Sequence, residues 1–170
     1  MRFFRELSRG MTLIEVAIVL AIMGGTLCLC FPSIQQSKQS LSASALADEL
    51  VMFISSAQQL ANQRHQDLVI QKLPVNGAGS STWQLQVSPQ TPSMDTPLLV
   101  LEGDLFQGVE VSLHYSAQQL WVDGFRHKLS NGHIRIVDRE GRSLLRVVTS
   151  YATGRIRVCA QEASRAYPQC

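Results

Sequence analysis

Between Met11 and Phe31 the chain is apolar or small at every position except Thr12, Glu15 and Thr26. About 20 such residues are what a helix needs to cross a bilayer, and Arg2, Arg5 and Arg9 stand immediately before the run. This pattern predicts a transmembrane helix over 11–33, its N-terminus kept inside by the positive flank. A cleaved secretory signal would end in a small-x-small site, whereas this run ends in Leu27-Cys28-Leu29-Cys30-Phe31-Pro32. Pro32 lacks an amide donor and is expected to loosen the helix locally. Beyond it, Leu46, Leu50, Phe53, Ile54, Ala57, Leu60 and Ala61 recur at three- and four-residue steps, with Gln36, Lys38, Asp48 and Asn62 on the other face. That period is helical. One long helix is predicted from about Thr12 to near Arg64, amphipathic over 34–65.

After Gln66 the period shortens to two. Strands are predicted at 67–73, 82–87, 97–101, 109–114, 119–122, 133–138, 143–149 and 154–159. Turn dipeptides such as Asn76-Gly77, Asp123-Gly124, Asn131-Gly132 and Glu140-Gly141 separate them. The expected fold is α+β: a long N-terminal helix, transmembrane then amphipathic, packed on a small antiparallel two-sheet β head over 66–170.

Composition changes this picture little. At 170 residues, 45% hydrophobic and 16% charged, the chain suits one folded domain plus an anchor, and widespread disorder is excluded. Charge is more informative. The span 35–125 holds three basic and eight acidic residues, whereas 126–170 holds nine basic and three acidic. A basic surface is therefore expected from the last quarter of the chain. Cys28 and Cys30 lie in the apolar run and are expected to pack as small hydrophobes. Cys159 and Cys170 bracket the C-terminal tail and are expected to form a disulfide in an oxidising compartment. Such a bridge, closing the tail 160–169, is worth about 3 kcal/mol in chain entropy. His65, His114, His127 and His133 are scattered without metal-ligand spacing, and neither a phosphate loop nor a G-x-S-x-G occurs. No enzyme, cofactor or metal site is expected.

Glu15 is the odd residue. A carboxylate in an apolar setting costs several kcal/mol unless partnered. A cut between Gly10 and Met11 would free an amine that could pair with Glu15 of a neighbouring copy and fix the register of packed helices. The run Arg9-Gly10-Met11-Thr12-Leu13-Ile14-Glu15-Val16, followed by Ala17-Ile18-Val19-Leu20-Ala21-Ile22, closely resembles the class III signal of type IV pilins and type II secretion pseudopilins. The resemblance implies cleavage after Gly10 by a prepilin peptidase and N-methylation of Met11. It also implies assembly through Glu15 and Pro32 with other pilins, and a single-pass place in the bacterial inner membrane with a periplasmic head before entry into a filament. Met11 stands where the family usually has Phe.

The C-terminal third narrows the resemblance. Leu144-Leu145-Arg146-Val147-Val148-Thr149 and Gly154-Arg155-Ile156-Arg157-Val158-Cys159 are similar to the GspH/FimT family of minor pilins and pseudopilins. On a strand Arg155 and Arg157 would share one face about 7 Å apart, able to fork onto successive phosphates. In DNA-uptake members a matching Gly-Arg-x-Arg belongs to the DNA-binding surface, which implies that role for Gly154, Arg155 and Arg157. Local charge adds Arg142, Arg146 and Arg165. The expected function is a minor pilin that starts or caps a type IV pilus and binds DNA without sequence preference. The alternative is a type II secretion pseudopilin acting in protein export.

Overall fold

The computed structural model describes residues 12–74, 83–90, 97–161 and 166–170, with the backbone alone over 27–36. The chain divides into two compact units, Met1–Lys38 and Gln39–Cys170, and the helix α1 (Leu13–Arg64) has residues in both. In the first unit, Thr12 opens α1. Its carbonyl and hydroxyl oxygens accept the Glu15 N–H at 3.0 and 3.4 Å. Thr-x-x-Glu is capping-box spacing, and an acid in the first turn complements the partial positive charge of a helix N-terminus. The large apolar side chains of this segment, Leu13 and Ile14 through Ile22 and Met23, are exposed.

In the second unit, eight strands form two four-stranded antiparallel sheets. They are β1 (Leu68–Pro74), β2 (Trp83–Pro89), β3 (Leu99–Glu102), β4 (Val109–His114), β5 (Gln119–Val122), β6 (Gly132–Asp138), β7 (Ser143–Thr149) and β8 (Ile156–Ala160). One sheet runs β3-β2-β1-β5 and the other β4-β6-β7-β8. All eight predicted strand positions carry strands, with ends displaced by one or two residues.

Alternation builds the core. Leu68, Ile70, Leu85, Val87, Leu120 and Val122 face inward from the first sheet, and Val111, Ile134, Ile136 and Val147 from the second. Against them α1 lays Leu46, Leu50, Ile54 and Ala57, fully buried, with Ala43, Ala47 and Ala61 allowing close backbone approach. Lys72 on β1 donates to the Val111 carbonyl on β4 at 2.8 Å, linking the two sheets. Tyr115 sits beneath the turn into β6, its hydroxyl 3.1 Å from the Thr149 hydroxyl, which itself bonds the Ser130 carbonyl at 2.7 Å. Burial pushes the Tyr115 phenol up to about 12.

Three expectations are corrected. Among the described residues no helix is long and apolar enough to cross a membrane. The transmembrane segment placed at 11–33 is therefore not supported, nor is the inner-membrane location with a cytoplasmic N-terminus and a periplasmic head. The fold is also not one long helix packed on a head. The unit boundary falls after Lys38, and only the stretch of α1 from Gln39 onward belongs to the unit that contains the sheets. The expectations for Cys28 and Cys30 concern side chains outside the described residues.

Leu50 is completely buried between α1 and the sheets. Leu50→Ala should lower unfolding free energy by about 2–5 kcal/mol, read as a lower denaturant midpoint at unchanged slope.

Candidate functional site

The outer face of the β4-β6-β7-β8 sheet follows from its inner one. With Ile134 and Ile136 buried, His133, Arg135 and Val137 must face out; with Leu145 and Val147 buried, so must Arg146 and Val148. Registry then sets two rows across the sheet. The first is Ser112, Arg135, Arg146 and Cys159; the second is His114, His133, Val148 and Arg157. Arg135 and Arg146 are directly opposed, a separation of about 5 Å between Cβ atoms, and Arg157 is a diagonal neighbour of Arg146 at about 7–8 Å. His114 and His133 stack with ring centroids 4.8 Å apart and planes within 9°. Ser112 Oγ lies 3.2 Å from His114 Nε2.

The Gly-Arg-x-Arg segment enters this face at the end of the sheet where β7 turns into β8. Gly154 has φ of +63°, and a Cβ there would run into the His127 carbonyl oxygen. Gly154 N donates to Ser150 O at 2.9 Å, and Ser150 N to Arg155 O at 3.1 Å, closing the turn. From α1, Gln58 Nε2 donates to the carbonyls of His127 (3.1 Å) and Gly154 (3.4 Å), so a core-bearing helix also fixes the turn that aims Arg155. Arg155 and Arg157 are both exposed, Arg157 on β8 and Arg155 in the turn just before it. Beside this turn Lys128 Nζ lies 4.5 Å over the Tyr151 ring.

The remaining sequence candidates separate. Arg146 belongs to the face, one of its terminal nitrogens donating to Gln161 Oε1. Arg142 does not. It sits in the β6–β7 turn, about 20 Å along the strand from the Arg157 row, bonded to Asp138 at 2.8 Å and to Glu140 at 2.9 Å. Cys159 and Cys170 are joined in a disulfide with Cα atoms 5.0 Å apart. The tail returns along β8, where Cys170 N donates to Ala160 O and Ala160 N to Pro168 O. The backbone N–H and carbonyl of Ala160, at the end of β8, are thereby paired. Arg165, Gly10 and Met11 lie outside the described residues. So does the Pro32 side chain, although Pro32 is within α1.

Sequence reasoning missed Arg135, His114 and His133. The alternation of His133-Ile134-Arg135 signalled that both would share a side. Their facing partners could not be read, because β5, in the other sheet, separates β4 from β6 in the chain.

Among the described residues the ion pairs are those of Arg142 alone, so Arg135, Arg146, Arg155 and Arg157 carry unneutralised charge. Glu110, on the same outer side of β4, is diagonal to Arg135 and forms no pair with it. Burial, then the Arg135 and Arg146 guanidiniums, hold His114 below its ordinary value. His133 is held low by burial, then by His114, Arg146 and Arg135. Such a face can accept oxyanions by charge and by forked N–H donation. A cleft of about 660 Å³ on the other sheet, lined by Gln71, Gln86, Gln119, Ser88 and Trp121, has no charged side chain among the described residues. Among the described residues no group of three or more His, Cys, Asp or Glu is arranged to hold a metal ion. No family model, curated protein or solved structure matches the chain.

Asp138 anchors the turn that takes Arg142 away from the face. Burial pushes its carboxyl up, but the Arg142 side-chain bond and the N–H groups of Arg142 and Glu140 outweigh this and hold it below the ordinary carboxylate range. The ionised form is therefore favoured in the folded state, and its stabilisation is present above about pH 4 and lost as pH falls through the lower folded value. Asp138→Asn should cost about 1–3 kcal/mol at pH 7. In thermal melts, the gap from the parent should shrink below about pH 4.

Proposed function

We propose that the chain is a filament subunit of the minor-pilin kind, joined to other copies or to related pilins through its N-terminal helix, with a basic sheet face that binds the DNA backbone. The observation that supports assembly is the first part of α1, where Leu13, Ile14, Leu20, Ile22 and Met23 are each more than half exposed. Apolar surface of that extent marks an interaction site, and a packed set of like helices covers it. Glu15 is the one charge of this segment. Cleavage after Gly10 by a prepilin peptidase, with methylation at Met11, would supply the cation it meets on the next copy. The capping-box geometry gives Glu15 a second, local use, and the two are separable. Glu15→Gln keeps a residue that can complete the capping box and removes the charge. Copurification of Glu15→Gln with filaments should fall at least tenfold while the melting temperature stays near that of the parent; undiminished incorporation sinks the pairing.

DNA binding is supported by three uncompensated arginines of one sheet face, Arg135, Arg146 and Arg157, with Arg155 in the turn beside them. Contacts of this kind attract phosphate and carry no base information. Arg155→Ala/Arg157→Ala should weaken binding of a random-sequence duplex by about tenfold and reduce the slope of log K against log salt by about 2. Binding equal to the parent's at low salt would remove the motif from the interface. In a deletion strain, lost transformation or twitching supports the pilus, and lost exoprotein release instead replaces it with secretion.

A further inference from the structure

The arrangement across β4, β6 and β7 is costly as it stands. Like charges directly opposite on neighbouring strands are destabilising, and Arg135 faces Arg146 with no carboxylate within ion-pair distance among the described residues. The Nε atoms of both arginines are buried without an acceptor. One row away, two imidazoles lie face to face at 4.8 Å, directly across β4 and β6. Protonating both would place two more cations beside two guanidiniums. An oxyanion laid across the four side chains supplies the missing counter-charge and can accept from the terminal guanidinium nitrogens.

We propose that Arg135, Arg146, His114 and His133 form a phosphodiester-binding site in which the histidine pair takes up a proton from solvent as the phosphate binds, so that acidification tightens the grip on DNA. The site extends the DNA reading given above and rests on it. It lies a row or more in from the Gly-Arg-x-Arg turn, with Arg157 as the shared neighbour. The neighbouring groups on this outer face are Ser112 and, two rows from His114, Glu110 on β4, with Arg135 on β6, Arg146 on β7 and Arg157 on β8. Four of these are charged, and three are cations. Free of ligand, burial and the two arginines make protonation of both imidazoles harder than usual. A bound phosphate offsets part of that repulsion, and each ring nitrogen that gains a proton becomes a donor to it. The direction follows from linkage: a ligand that favours the protonated form binds more tightly as pH falls.

The test is fluorescence anisotropy of a random-sequence DNA with the full chain at constant salt, at pH 7.5 and 5.5. The parent should bind about tenfold or more tightly at the lower pH. His114→Gln/His133→Gln should lose most of that gain, whereas His65→Gln/His127→Gln, which removes the other two histidines, should keep it. Arg155→Ala/Arg157→Ala should bind more weakly at both values with the gain retained. A gain undiminished in His114→Gln/His133→Gln overturns the inference and leaves the DNA reading intact. A parent that binds no DNA at either pH overturns the DNA reading. Inorganic pyrophosphate then decides the inference by NMR: the His114 and His133 imidazoles should titrate at higher pH when it is present, and unmoved titrations overturn the site.

Discussion

The period of two in the β4-β6-β7-β8 sheet governs both sides of that sheet at once. Ile134, Ile136, Leu145 and Val147 are buried against the core that α1 completes. A register slip of one residue would turn each of them to solvent and bring His133, Arg135 and Arg146 inward. Burying three ionisable side chains without partners costs far more than any surface rearrangement gains. The basic face is therefore fixed by the hydrophobic one, and its geometry is as well determined as the core. The bulge at Ile136/Val137 adjusts the strand only beyond Arg135, toward the Asp138 turn, and leaves the opposed arginines in phase.

A second tie connects the helix to the turn. Gln58 lies on the same helix as Ile54 and Ala57, yet its amide reaches the carbonyls of His127 and Gly154. Gly154 carries two demands, a positive φ and the close passage of the His127 carbonyl. Glycine meets both. The motif's first residue thus serves packing, and its arginines are left free of structural duty.

Strand positions were legible because alternation in segments such as Trp83-Gln84-Leu85-Gln86-Val87 is strict, and the stripe from Leu46 to Ala61 marked its helix equally well. The basic character of the final quarter was legible from composition, and the Cys159–Cys170 bridge from position. Pairing was not. The chain leaves one sheet after β3, enters the other at β4, returns for β5 and leaves again, so His114 meets His133 through contacts that local patterns do not encode. Arg142 shows the same limit from the other side. By sequence it is one more cation, and only the fold brings Asp138 and Glu140 around it. The apolar run at the N-terminus was read as a membrane span from its composition, and no helix among the described residues has that reach. Hydropathy measures a preference for leaving water and does not name what receives the segment.

Placement of the acids sharpens the case for the face. The last quarter of the chain contains Asp138, Glu140 and Glu162. Two of these are at the β6–β7 turn, bonded to Arg142. A sheet needing only stability would gain from moving one carboxylate across from Arg135 or Arg146, where opposite charges are favourable by a few tenths of a kcal/mol to about 1 kcal/mol. Instead the acids neutralise the arginine at the far end of the strands. Two guanidiniums and two imidazoles remain on the surface that Arg155 and Arg157 continue. The cost of that arrangement falls on the free protein, which is what gives the proposed anion site its physical rationale.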